Sequence, residues 1–330
     1  MSREKVPKSQ VSQSQTVEYL ECLEKVIVAL DDLPQGKALA EAITKDCNFI
    51  HLVKPHQVVE VSQIQMREGH SPKSLEDDNL DTHFYSYLEA VINRQIRSGM
   101  LTDGTCPEDY DDRKIRWSGA GVAGLWSCEG DILTLEVGVT SYPRCRLDLA
   151  RSPLEALKLM ERGLKTYQDP YAYFARGIGV AVIPLTIDGN VYLGERSPEV
   201  DCSSILNFVA GWATFSANIK EINFLEDAQR ELEEEVGIVM NLNHNNTKFI
   251  GISGNPLTGE VDLVFVVQTE VSDRHFHFGS WEEHNRLVSI RNKSEGSTLL
   301  QQGLLPGEQL PKTLMYSSRL GLEYLVEHHW

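Results

Sequence analysis

Between Arg230 and Ile238 the chain reads Arg-Glu-Leu-Glu-Glu-Glu-Val-Gly-Ile, and Glu231, Glu234 and Glu235 stand three and four residues apart. On a helix this spacing sets side chains beside one another on one surface. Leu225, Ala228, Leu232 and Val236 recur at the spacing of a second, apolar stripe that would face a core. Gly237 stands where a helix ends, because glycine takes the left-handed conformation there without strain. The stretch therefore predicts a short amphipathic helix with carboxylates crowded at its last turn. Helix carbonyls carry partial negative charge at that end, and like charges one turn apart repel, each effect costing about 0.3 kcal/mol or more. A solvated acidic face tolerates such a cost. A hard divalent cation offsets it, since Mg²⁺ is held by one or two carboxylates together with substrate phosphates and water.

The string from Arg230 to Ile238 resembles the second half of the Nudix box, G-x5-E-x7-R-E-U-x-E-E-x-G-U with U an aliphatic residue. It fits at Arg230, Glu231, Leu232, Glu234, Glu235, Gly237 and Ile238. The first half departs from the pattern. Nine residues separate Gly211 from Glu221, and Glu221 lies one residue too far from Arg230, which reads as an insertion in the loop over residues 214–220. Asn218 or Asn223 would cap the helix, each having Glu three residues later. A second likeness lies in Gly138-Val139-Thr140-Ser141-Tyr142, Gly179-Val180 and Arg196-Ser197, which is similar to a branch of animal and plant Nudix proteins carrying an N-terminal domain. Animal members of that branch cleave UDP-glucose and UDP-galactose. This chain has Gly211-Trp212 where they have a Gly-Gly pair.

The resemblance implies hydrolysis of a diphosphate linkage, in which water is placed in line and charge on the phosphate oxygens is neutralised. Mg²⁺, or Mn²⁺, serves both ends. It implies Glu231, Glu234 and Glu235 as metal ligands, with Gly211 contributing its carbonyl, and Arg230 as the residue that orients a glutamate. A base from a loop after the helix would be Glu283 or Glu282, beside Trp281. Arg196, Arg176 and Arg144 are the cations that could reach phosphate, and Tyr142 or Trp212 the rings that could stack on a base; surface and core roles are the alternatives for each. The implied substrate is a nucleoside diphosphate-linked small molecule, a UDP-sugar first and ADP-ribose second. Two other readings stay open: an isoprenoid or specialised-metabolite diphosphate as substrate, and a nucleotide-binding sensor that keeps the fold without catalysis.

The helix needs strands on either side to hold it. From Tyr171 onward the texture is strand and turn. Strands are expected at 178–185 and 191–195, forming a hairpin about Asp188-Gly189-Asn190, then at 205–210, 249–253 and 261–269, with a last helix at 314–327. Upstream, helices are expected at 17–30, to about 44, at 82–97 and at 152–165, the last opened by Ser152-Pro153-Leu154-Glu155. Strands are expected at 49–53 and 58–66, and a hairpin at 124–127 and 132–140; residues 69–80 and 100–113 read as irregular. The expected architecture is α/β (α+β): a disordered tail at 1–16, an N-terminal mixed domain at 17–170, and at 171–330 a Nudix-type mixed sheet between helices. The N-terminal part shows no clustered ligands and is expected to shape access or dimerisation, leaving a homodimer open.

A net charge of −17 over 330 residues argues against a nucleic-acid surface, which needs basic residues to neutralise phosphates. Six scattered cysteines without a Cys-x-x-Cys pair read as reduced thiols in a cytoplasmic protein. No apolar run approaches a membrane span, so no membrane partner is expected.

Overall fold

A computed structural model describes residues 13–33, 36–45, 47–53, 64–73, 113–118, 126–129, 132–197, 204–215, 219, 222–278 and 284–330. The helix expected at 82–97 lies outside these residues, as do Asn218, Glu221 and the Trp281-Glu282-Glu283 stretch.

A central five-stranded sheet carries the architecture. Its order is β1 (Ile50–Val53), β10 (Thr247–Gly254), β11 (Val261–Gln268), β6 (Ile178–Leu185) and β9 (Val209–Trp212). The β11–β6 pair is parallel and the other three pairs antiparallel, so the sheet is mixed. Strand β6 is buried along its whole length, which explains its unbroken apolar sequence Ile-Gly-Val-Ala-Val-Ile-Pro-Leu. Its alternating residues serve two cores. Val180 and Val182 join Leu263 and Phe265 under α5 (Phe224–Val236), whereas Ala181 and Ile183 join Val264 and Ile250 under α8 (Tyr316–His328). The sheet is thus covered on both faces by helices.

Two smaller sheets flank it. One runs β12 (His284–Ile290), β7 (Val191–Arg196), β8 (Leu206–Asn207). The other runs β2 (Ile64–Glu68), β5 (Ile132–Ser141), β3 (Arg113–Trp117), with β4 (Trp126–Glu129) also paired to β5. The hairpin expected around Asp188-Gly189-Asn190 is corrected here. The chain does turn, with Gly189 N–H donating to Thr186 O and Thr186 N–H to Asn190 O, both at 3.0 Å. Beyond the turn β6 pairs with β11 and β9 and β7 with β12 and β8, so the two strands part into different sheets.

The N-terminal residues join the same core. Helices α1 (Gln13–Leu30) and α2 (Gly36–Thr44) contribute Val26, Leu30, Leu39 and Ile43 to the cluster that holds the β6 and α5 side chains. Helix α1 already begins at Gln13, inside the stretch expected to be a disordered tail. Helix α3 (Tyr142–Ala150) follows β5 directly, and α4 (Pro153–Tyr167) has the expected capping box, with Ser152 and Glu155 satisfying each other's backbone N–H. Helices α6 (Asp273–Phe278) and α7 (Lys293–Gln302) complete the described elements. Among the described residues no helix is long and apolar enough to cross a membrane.

Candidate functional site

Helix α5 is set at both ends by the residues expected to set it. Asn223 caps its start, accepting from Leu225 N–H at 3.1 Å, and Gly237 closes it in the left-handed conformation with φ 63°. Ala228, Leu232 and Val236 are buried against the sheet, which fixes the rotation of the helix about its axis. The loop entering it is stitched to β3. Ile115 N–H donates to Ala213 O and Phe215 N–H to Arg113 O, each at 3.2 Å, and Thr214 N–H donates to Asp227 Oδ1 at 3.3 Å.

That rotation corrects the expectation that the three glutamates share one surface. Glu231 and Glu235, one turn apart, are both buried toward β9, while Glu234 is turned out into solvent. The reason is angular: at about 100° per residue Glu235 lies about 40° to one side of Glu231 and Glu234 about 60° to the other, so only one of them can turn toward β9 with Glu231. Arg230 bridges the exposed and buried sides. Its Nη1 meets Glu231 Oε1 at 2.7 Å and Glu234 Oε2 at 3.3 Å, and its Nη2 donates to Asp227 Oδ1 at 3.1 Å. Asp227, half a box away, had no signal in the sequence beyond lying one turn before Glu231.

Two glycines give the buried carboxylates and their partner room. The Glu231 carboxylate lies against Gly211 on β9, where a Cβ would collide with it. The Gly211 carbonyl lies beside Gly179 on β6. Glu235 is held by two donors: Ala210 N–H to Oε1 at 3.1 Å, and the imidazole Nε2 of His284 at 3.2 Å from Oε2. His284, the first residue of β12, is itself buried, its ring lying over Gly194 of β7. Sequence reading missed it, since one histidine among ten without a neighbouring ligand carries no signal.

Burial pushes the Glu231 carboxyl up to about 7; Arg230 opposes the rise, and Glu235 and Glu234 add to it. These side chains fit a divalent cation: two hard carboxylate donors one turn apart, one of them raised to about 7 by burial even beside Arg230, in a cradle that a Cβ would fill. Among the described residues no group of three or more His, Cys, Asp or Glu is placed to hold a metal ion. Two carboxylates with the remaining positions left to phosphate and water is the pattern Mg²⁺ favours.

The other expected residues divide. Tyr142 and Trp212 come together edge to face, with ring centroids 5.2 Å apart, one residue along β9 from Gly211. The indole N–H of Trp212 donates to Glu260, a fully buried carboxyl that burial pushes up to about 8, with Asp262 adding to the rise. Arg196 sits opposite His284 in the β7–β12 ladder, which puts it next to the carboxylate site. Arg176 is placed elsewhere. It is buried, paired with Asp169, and its guanidinium lies 4.3 Å from the centroid of Trp117, so it is built into the core rather than offered to phosphate. Glu283 lies outside the described residues.

No family model and no curated protein matches the chain. Solved structures do. The MutT protein of Methanosarcina mazei is 17% identical, with a TM-score of 0.31 over 47% of this chain and 96% of that one. The NUDIX domain of Shewanella oneidensis NrtR, solved in complex with ADP ribose, is 14% identical with a TM-score of 0.29, covering 49% and 94%. DR0079 of Deinococcus radiodurans is 14% identical with a TM-score of 0.28, covering 38% and 70%. Likenesses this slight say nothing about activity.

Proposed function

We propose that this chain is a Nudix-type, Mg²⁺- or Mn²⁺-dependent diphosphatase that cleaves a nucleoside diphosphate linked to another group. The observation that carries the reading is the pair of buried carboxylates one turn apart: Glu231, against Gly211 and bound by Arg230, and Glu235, accepting from Ala210 N–H. In water the Glu231 carboxyl ionises easily; in this pocket burial raises it to about 7, and a divalent cation would favour its charged form. When bound, the cation would neutralise the phosphate oxygens and lower the pKa of a coordinated water. The chain's own residues do the rest. Glu231 and Glu235 hold the cation, Arg230 fixes the Glu231 carboxylate, and Glu234 lies exposed at the rim beside Arg230. Arg196, beside this site, is suited to a phosphate, and the Tyr142–Trp212 pair offers an aromatic edge for a base.

The substrate reading that fits the upstream likeness best is a UDP-sugar of the glucose or galactose type. Water adds at one phosphorus, the bridging P–O bond breaks, and UMP and a sugar 1-phosphate leave with release of the protons of water. The test is to incubate the purified full-length protein with UDP-glucose, UDP-galactose, ADP-ribose, dinucleotides and CoA, with Mg²⁺ or Mn²⁺, and to identify products by mass spectrometry. Metal-dependent release of a nucleoside monophosphate from one or more of them is the expected result. Absence of turnover across the panel would overturn the reading in favour of a nucleotide sensor.

A further inference from the structure

We propose that His284 is a positioning residue for the cation site, acting through Glu235; the proposal rests on the diphosphatase reading above. The geometry is specific. A carboxylate accepts hydrogen bonds, so the imidazole proton that faces Glu235 Oε2 at 3.2 Å is carried on Nε2. The second oxygen accepts from Ala210 N–H at 3.1 Å. Each oxygen keeps lone pairs beyond these bonds, so the two donors fix the plane of the carboxylate without using up its capacity to ligate. His284 is in turn fixed by close packing: its ring fills the space left by the missing side chain of Gly194, and its Nδ1 finds no hydrogen-bond partner among the described residues. A buried imidazole whose one satisfied nitrogen points at a buried carboxylate has that carboxylate as its polar role. Outer hydrogen bonds of this kind set the orientation of ligating groups, and their loss weakens metal binding by about 10- to 100-fold.

The test compares His284→Gln with His284→Asn. The Gln amide nitrogen reaches the position of Nε2, whereas the Asn amide stops near Nδ1 and cannot reach Glu235. Mn²⁺ binding to the substrate-free protein is followed by the paramagnetic resonance signal of the free ion, alongside the Mg²⁺ concentration giving half-maximal turnover. His284→Asn should weaken Mn²⁺ binding about 10-fold or more and raise the Mg²⁺ requirement in parallel, with KM for the diphosphate unchanged at saturating Mg²⁺. His284→Gln should restore most of both. On a Glu235→Gln background, His284→Asn should cost nothing further in metal binding. Equal Mn²⁺ affinity in wild type and His284→Asn would overturn the proposal, as would equal losses in the Gln and Asn variants, which would mark a packing effect. A wild-type protein that binds Mn²⁺ with the expected His284 dependence yet turns over no diphosphate would sink the functional reading and leave the positioning role standing. A wild type that binds no Mn²⁺ would sink both.

Discussion

Replacing Glu231 by Gln tests the electrostatics of the site without removing its shape. The carboxyl has its ordinary value at 4.5 and is raised to about 7 in the folded chain, mainly by burial. The folded protein therefore binds this proton more tightly than the unfolded chain. Its contribution is complete below pH about 4.5 and is lost as the pH rises to about 7, a change of roughly 3 kcal/mol. Gln cannot ionise, so without metal the variant should gain on the wild type across that same window. For a chain of 330 residues, an unfolding entropy of about 2.1 cal/mol/K per residue converts the gain to about 4 °C in Tm. Glu260 and Asp262 titrate in both proteins and drop out of the difference. Melting curves in chelator at pH 4.5, 6 and 8 measure it, and Mg²⁺ should reverse the order at pH 8 by stabilising only the wild type strongly. A difference in Tm that stays flat from pH 4.5 to 8 would refute the reasoning, because the carboxyl would then be no more desolvated folded than unfolded.

Gly211→Ala should place a methyl group where the Glu231 carboxylate now lies, and turnover of a cleaved diphosphate should fall about 100-fold with the Mg²⁺-induced rise in Tm reduced; unchanged kinetics would show that Glu231 works from another position. Glu260, raised to about 8 by burial, costs stability progressively from pH about 4.5 to 8, so Glu260→Gln should melt above the wild type at pH 9 and not at pH 4.5. An equal difference at the two pH values would contradict that assignment.

Local chemistry written in neighbouring residues was legible in the sequence. Ser152-Pro153-Leu154-Glu155 announces α4 because all of its capping partners lie within one turn, and Asn223 and Gly237 bound α5 for the same reason. Pairing was less legible. The Asp188-Gly189-Asn190 turn is real, but parallel pairing of β6 with β11, nearly eighty residues on, decides which strand lies beside it. Strand β3 was hidden by its charges. Arg-Lys-Ile-Arg-Trp carries three cations in five residues, yet Arg116 is buried because its guanidinium donates to the carbonyls of His70, Phe174 and Ala175, none of them near in sequence. His284 was invisible for a related reason: its meaning comes from Glu235 and Gly194, which only the fold brings to it.

Strand β1 closes one edge of the central sheet by pairing Ile50 with Gly254 and His51 with Ser253. During synthesis that partner does not exist until about two hundred further residues have been added. At 5–20 residues per second the wait is roughly 10–40 s. For that interval β1 has strand hydrogen-bonding groups but not the partner strand that takes them. Long-range pairing of this kind slows folding, since the loop must close before the contacts form. The helix that carries Glu231 and Glu235 emerges before His284, so this carboxylate pair is among the last parts of the molecule to gain its setting.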